Sequence, residues 1–500
     1  MSLVDAFTAC AAADPAASAL IWNNASWSYG ELARARAGVS AALRGAGLAR
    51  GDRVALLLRN SPQYVAALYG TLGAGGVAVA LNALERSEVL ARQITHSGSR
   101  LVLADPAHIE FEKLSALLAE RDVRVIACAT PDTTTALAQF TAAFPADDAP
   151  PAQCADNEPA LLIYTSGTTG RPKAVVLSHG NLESNARAIA AYLDLTAADR
   201  AFCVLPFHFS YGNSVLTSHL TVGGALIIED NLAFPQRSLQ RMSNLRATGF
   251  AGVPSTFTLL LTRASFGDYD FSALRYATQA GGAMTRVAIA RLRQELPRTR
   301  VFVMYGQTEA TARISYLPPE RLDTKLGSVG IPVAGTEIEI CDPAGTALPV
   351  GKVGEVRVRG PGIMLGYWED PAATRDAIRD GWLWTGDLGH KDEEGFLYID
   401  GRSVEMIKVG AFRVSPYEVE EAIALLPGVE EVAVGSVPDE VLGQAVKAVI
   451  VLRDGAQVDA LAVKAHCRQS LATYKIPKIV EFAAQLPRTM TGKVQRLQLN

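Results

Sequence analysis

The feature that most restricts what this chain can fold into is the alternation of short β-branched runs with Ala/Leu-rich helical patterns from Gly51 onward. Val54 to Leu58, Val77 to Leu81, Leu101 to Ala104 and Val123 to Ala127 read as strands, with a helical pattern between each and the next. Strands that alternate with helices predict a parallel, doubly wound sheet covered on both faces. The stretch Tyr64 to Leu84 is almost without charge and has about the length of a membrane span, but Gly73, Gly75 and Gly76 divide it into a helix and a strand. A covered parallel strand requires such an apolar run, so the segment is read as buried rather than spanning. Leu161 to Tyr164, Ala201 to Leu205, Ala225 to Glu229 and Val301 to Tyr305 continue the alternation, after a Pro/Asp/Ala-rich linker or surface loop at Phe144 to Pro159.

Beyond Gly330 the pattern changes to short strands, Glu337 to Cys341 and Gly354 to Arg359, with tight turns, which predicts a small barrel-like or antiparallel unit. After Asp400 a compact pattern restarts: a strand at Met406 to Val409, a helix at Ser415 to Leu426, strands at Val429 to Val437 and Ala445 to Leu452, and a helix to Leu471. The expected division is a large multi-layer α/β domain over residues 1–400, a hinge at 401–404 and a small α+β domain over 405–500.

Composition narrows the partners. Net charge is −4 with both signs interspersed, so there is no basic field for nucleic acid and no polybasic membrane patch. Six cysteines are scattered without a CxxC pair or Cys/His cluster, which fits a cytoplasmic protein without disulfide or zinc frameworks. Asp5 and Asp14 without a basic leader argue against a signal peptide. Small molecules are the expected partners.

The richest segment is Tyr164-Thr-Ser-Gly-Thr-Thr-Gly-Arg-Pro-Lys173, placed between a strand and a helical pattern. Its glycines let backbone amides crowd an anion, its hydroxyls add donors and Lys173 adds charge, a combination suited to a polyphosphate. It is not a GxxxxGK[ST] loop, and on its own it also fits a flexible surface turn.

The segment resembles the phosphate loop of the adenylate-forming superfamily, which includes acyl-CoA synthetases, peptide-synthetase adenylation domains and luciferases. Tyr305-Gly-Gln-Thr-Glu309, Trp384-Thr-Gly-Asp387, Gly401-Arg402 and Pro487-Arg-Thr-Met-Thr-Gly-Lys493 follow in that family's order, and the similarity spans roughly Trp27 to Arg496. The resemblance implies that Thr165, Ser166, Gly167, Thr168, Thr169, Gly170 and Lys173 hold the β- and γ-phosphates of ATP, that Glu309 helps hold Mg²⁺ and that Thr308 contacts the α-phosphate. It further implies that Gly281, Gly282, Ala283 and Tyr305 frame the adenine, with Gly306 and Gln307 along the nucleotide. Asp387 would accept the ribose hydroxyls beside Arg402, and Lys493 would bridge the charge that develops at the reacting phosphate. Taken singly, an Asp after Thr-Gly caps a turn and a C-terminal Lys is solvated.

Pro206-Phe-His-Phe-Ser-Tyr-Gly212 resembles the segment that borders the family's acyl pocket. His208 stands where amino-acid-activating members keep an aspartate, so a plain carboxylic acid is implied. Tyr211, Val253, Gly281, Gly306 and Gly330 would line the pocket by position. Two departures stand out: Ala174 follows Pro-Lys where the family often has Gly, and Val404 followed by Glu405 replaces the hinge Asp or Lys. Ser403 or Glu405 is expected to supply the hinge's polar contacts. The implied activity is formation of an acyl-adenylate and then of a thioester with CoA, or alternatively with a separate carrier protein's phosphopantetheine. A catalytically silent nucleotide-binding scaffold is the reading of another class.

Overall fold

The computed structural model describes residues 2–499 except 24, 120, 129–135, 148, 166–172, 230–231, 403–404, 410–411, 440–441 and 489–493. The alternation seen in the sequence resolves into two sheets rather than one. The first has seven strands in the order Gly366–Tyr367, Lys173–Ser178, Pro159–Thr165, Val77–Ala80, Arg53–Leu57, Leu101–Ala104 and Arg124–Ala127. Its last five are mutually parallel, while the first two add an antiparallel edge. The second has nine strands in the order Ile331–Pro332, Ser315–Leu317, Arg300–Tyr305, Tyr276–Gln279, Gly249–Gly252, Arg200–Cys203, Ala225–Ile228, Ser18–Trp22 and Ala25–Ser28. Six of these run parallel, from Arg300–Tyr305 to Ser18–Trp22.

Burial follows from the sequence. Val77–Ala80 and Leu101–Ala104 are buried at every position, as continuous apolar strands covered on both faces must be. The apolar stretch at Tyr64 to Leu84 forms the helix Pro62–Gly73 and the strand Val77–Ala80, and every residue of that helix is buried. Among the described residues no helix is long and apolar enough to cross a membrane. Leu20 and Trp22 of the nine-stranded sheet share one core with Val54, Leu56 and Leu161 of the seven-stranded sheet. The segment from Phe144 onward is a surface loop rather than an interdomain linker, since Val77–Ala80 before it pairs directly with Pro159–Thr165 after it.

Two local readings are corrected. The glycine-rich turn does not lead into a helix: Lys173–Ser178 is a strand, and the helix His179–Tyr192 starts after it, capped by Ser178 and Asn181. The run Ala-Val-Val-Leu is short, apolar and β-branched, and pairing with Pro159–Thr165 decides its conformation. The last predicted helix ends at Cys467 rather than Leu471, because Leu471 and the residues before it close turns back onto the helix.

After the nine-stranded sheet, Glu337–Cys341, Gly354–Arg359, Trp382–Lys391, Ile378–Arg379 and Leu397–Arg402 make an antiparallel five-stranded sheet, as expected beyond Gly330. The chain then enters a different sheet at Ile407–Val409, with Phe412–Val414, Gly443–Leu452, Val429–Asp439 and Ile479–Phe482. The helices Pro416–Ala424 and Ala460–Cys467 pack on this smaller carboxy-terminal unit around Val419, Ile423, Val463 and Cys467.

Candidate active site

In open α/β sheets the space beyond the carboxyl ends of parallel strands gathers loops from several strands, and ligands bind there. Four neighbouring parallel strands of the nine-stranded sheet end at motif residues. Arg200–Cys203 leads to His208, Gly249–Gly252 to Val253, Tyr276–Gln279 to Gly281, and Arg300–Tyr305 to Gly306 through Glu309. Sequence order had separated these by about a hundred residues; sheet order makes them adjacent.

The loop after Tyr305 is tightly built. A Cβ on Gly306 would lie 1.8 Å from the Ala312 carbonyl oxygen, so only glycine permits that crossing. Thr308–Ala310 is a single 3₁₀ turn, and Thr311 beyond it has φ 65° and ψ −44°, an uncommon geometry for a β-branched residue. The Thr311 hydroxyl donates to the Gly362 carbonyl at 2.6 Å and the Met364 amide donates to the Glu309 carbonyl at 2.9 Å, which hold the turn from outside.

Two polar groupings flank this loop. On one side the Tyr305 hydroxyl donates to Asp387 Oδ2 at 2.5 Å, and Arg402 Nε donates to Asp387 Oδ1 at 3.1 Å. Asp387 and Arg402 are direct partners across adjacent strands, and the Thr385 hydroxyl accepts the Asp387 amide at 3.1 Å. Burial, and then the Asp387 charge, push the Tyr305 phenol far above its ordinary range, so it stays a donor. On the other side the Tyr367 hydroxyl donates to Glu309 Oε1 at 2.9 Å, and Lys173 Nζ stands 4.8 Å from the centre of the Tyr367 ring. Burial and the Glu309 charge raise the Tyr367 phenol in the same way. Ser210 and Thr308 share a hydrogen bond of 3.1 Å between their hydroxyls.

The ladder pairs Thr165 with Lys173 and Tyr164 with Ala174, which brings the two ends of the glycine-rich loop together. Ser166, Gly167, Thr168, Thr169 and Gly170 lie outside the described residues, as do Lys493, Ser403 and Val404. Ala174 is buried within the strand, so a side chain is accommodated there.

His208 is half-buried, its ring centre 4.1 Å from that of Phe209, and its Nε2 is shielded without a hydrogen-bond partner among the described residues. Burial lowers its pKa to about 4, so the ring is neutral near pH 7. The Tyr211 hydroxyl reaches both the carbonyl and the hydroxyl of Thr278 at 2.9 Å. Gly281 has φ +86°, and the position of a Cβ there is 3.2 Å from Val253, so these two loops touch; Gly282 and Ala283 are exposed beside them. Gly330 is buried with φ +89°, and a Cβ would meet the Tyr316 carbonyl at 1.8 Å, which gives this glycine a packing role of its own. Glu405 pairs with Arg496 at 3.4 Å, and Arg496 also grips Glu420.

The sequence reading missed Tyr367, Ser210 and Asn60. Asn60 Nδ2 donates to the Leu205 carbonyl and its Oδ1 accepts the Phe207 amide, both at 2.8 Å, which ties the His208 segment to the seven-stranded sheet. A signal for it existed, since Arg59-Asn60-Ser61 is the polar run directly beyond a buried parallel strand. Nothing in the sequence paired Tyr367 with a glutamate 58 positions earlier.

Fold and site together define a nucleotide-handling enzyme with its loops gathered at strand ends. The chain belongs to the AMP-binding enzyme family, which matches residues 7–368, and the AMP-binding enzyme C-terminal domain matches residues 418–493. A feruloyl-CoA synthase of Amycolatopsis sp. is 36% identical over 484 residues, covering 96% of this chain and 94% of that protein. A long-chain-fatty-acid–CoA ligase of Yersinia pestis is 35% identical, covering 93% and 88%. The ATP-bound structure of MatB from Rhodopseudomonas palustris superposes with a TM-score of 0.91 at 31% identity, covering 100% and 98%.

Proposed function

We propose that this enzyme joins a non-amino carboxylic acid to CoA through an acyl-adenylate. The observation that carries the reading is the convergence on one loop, Tyr305 to Glu309, of Asp387–Arg402 from one side and Lys173–Tyr367 from the other. The similarity to a feruloyl-CoA synthase and a fatty-acid–CoA ligase favours CoA as acceptor.

A carboxylate is ionised near neutral pH, so its attack on the α-phosphorus of ATP needs no general base; repulsion between negative charges is the barrier. A carboxylate oxygen bonds to phosphorus as the bond to pyrophosphate breaks. In the second half the thiol sulfur bonds to the acyl carbon, AMP leaves and the thiol proton passes to solvent. Thr165 to Gly170 and Lys173 hold the β- and γ-phosphates, Thr308 the α-phosphate, and Asp387 the ribose. Gly281, Gly282 and Ala283, with Tyr305, frame the adenine.

Among the described residues no cluster of three His, Cys, Asp or Glu could hold a metal ion. One carboxylate, Glu309, beside the phosphates is instead the donor set that suits Mg²⁺ arriving with nucleotide. The ion would neutralise phosphate charge, while Tyr367 keeps the Glu309 carboxylate oriented. His208 is neutral and offers no anion to an α-ammonium group, which disfavours amino acids.

We assign residues 1–400 to a body, 401–404 to a hinge and 405–500 to a lid carrying Lys493. The change of sheet between Leu397–Arg402 and Ile407–Val409 supports this division. Lys493→Ala should lower pyrophosphate release by roughly two to three orders of magnitude, the effect of removing a preorganised charge. Thioester formation from supplied acyl-adenylate should persist. Equal loss of both half-reactions in a folded variant would reject the role given to Lys493.

A further inference from the structure

Behind Tyr211 the structure holds a positive charge that no carboxylate among the described residues neutralises. Arg313 is 3% exposed. Its Nε donates to the Tyr192 hydroxyl at 3.1 Å, its Nη2 to the Ser214 hydroxyl at 3.4 Å, and its guanidinium carbon lies 4.5 Å from the centre of the Tyr211 ring. Both acceptors are neutral, and each hydroxyl spends its own proton elsewhere, Tyr192 on the Met304 sulfur and Ser214 on the Tyr211 carbonyl. Among the described residues no carboxylate stands within ion-pair distance of Arg313, and Nη1 has no acceptor. Attraction to the face of one ring is small beside the desolvation penalty of a buried guanidinium.

The position is also specific. The site of a Cβ on Gly306 lies 3.1 Å from Arg313 Cα, so Arg313 adjoins both Gly306 and Tyr211, two residues of the proposed acyl pocket. One further polar atom beside it is unsatisfied: Asn185 Oδ1 is shielded and has no hydrogen-bond partner among the described residues. Asn185 Nδ2 donates to the Arg313 carbonyl at 3.1 Å. An alkyl chain or a bare ring filling the pocket would leave the Arg313 charge without a counter-ion.

We infer that the acid activated here carries a second anionic group, a distal carboxylate or sulfonate, that Arg313 receives in the acyl pocket. Arg313 is then a specificity-determining residue, since its planar fork matches such a group with two parallel donors. The inference rests on the adenylation reading and narrows its substrate class.

The test is pyrophosphate release with matched pairs of acids: glutarate against pentanoate, adipate against hexanoate, and phthalate-type diacids against benzoate. In the native enzyme the best diacid should exceed its monoacid partner in kcat/KM by roughly tenfold to a hundredfold, the discrimination expected of a charged hydrogen bond. Arg313→Met should abolish that ratio and Arg313→Lys should restore part of it, with thermal unfolding recorded to show that the variants fold. Monoacids equal to or better than diacids in the native enzyme overturn the inference even if neither variant folds, as does a preference unaffected by Arg313→Met. Release with monoacids alone leaves the adenylation reading standing, whereas no release with any acid rejects that reading itself.

Discussion

Asp387 illustrates how a residue becomes informative only through its neighbours. Both of its oxygens are engaged, by Tyr305 and Arg402, in a place 4% exposed to solvent. Such a carboxylate is fixed in direction and charge, which suits the ribose-accepting role proposed for it. Asp387→Asn keeps the shape but removes the charge, so kcat/KM for ATP should fall roughly tenfold to a hundredfold, the range for hydrogen bonds to a charged group. Steady-state kinetics with varied ATP measure it, and a variant with unchanged kcat/KM would separate Asp387 from nucleotide binding. The sequence showed Asp387, Arg402 and Tyr305 because each lies in an ordered motif. It could not show Tyr367, Asn60 or Arg313, whose partners are 58, 147 and 99 positions away and whose residue types are ordinary.

The helix Ser210–Thr221 carries a second buried histidine with a measurable consequence. His219 Nδ1 donates to the Val215 carbonyl at 2.8 Å, and its Nε2 accepts the Tyr276 hydroxyl at 2.6 Å. Burial lowers its pKa from 6.5 to about 4, so the folded state holds the neutral form. Since the folded value is depressed, the contribution is complete above the unfolded value and is lost as pH falls from about 6.5 toward 4. Acidification from about pH 7 to about pH 5 should cost roughly 2 kcal/mol through this group. Denaturant unfolding at both pH values should show a shallower pH dependence in His219→Gln than in the native enzyme; equal slopes would assign the acid sensitivity to other groups. Elements of this kind were legible where periodicity was strong. Glu337–Cys341 and Gly354–Arg359 match their expected bounds, and Val77–Ala80 and Leu101–Ala104 differ by one residue at most. Gly249–Gly252 and Tyr276–Gln279 were not foreseen, because Gly-Phe-Ala-Gly and Tyr-Ala-Thr-Gln lack a β-branched run. They are strands because parallel neighbours hydrogen-bond to them on both sides.

At the scale of the whole molecule, one site has to run two steps with conflicting demands. In the proposed mechanism adenylation calls for Lys493 inserted and water excluded, whereas thiol attack calls for that lysine withdrawn. Glu405 and Arg496 are joined by an ion pair, so the segment just beyond the proposed hinge and the one that follows Lys493 are coupled. Glu405 makes one ion pair beside the proposed hinge, while Ser403 lies outside the described residues. Val404→Pro fixes φ near −65° and removes an amide donor. Single-turnover pyrophosphate release should persist in this variant while thioester formation from supplied acyl-adenylate falls sharply. Unchanged rates in both assays would move the pivot away from residue 404.

The seven-stranded sheet has a further consequence, for the order in which the chain is made. Gly366–Tyr367 pairs with Val175 and Val176, closing the edge of the strand that follows the glycine-rich segment. During synthesis that edge waits open for about 190 residues, with unpaired amides and carbonyls available to any other strand. A nascent or truncated chain that stops short of Tyr367 therefore exposes the backbone of Val175 and Val176 that the finished chain covers. Fragments ending there are expected to aggregate through this edge, and the contact of Tyr367 with Glu309 is among the last to form.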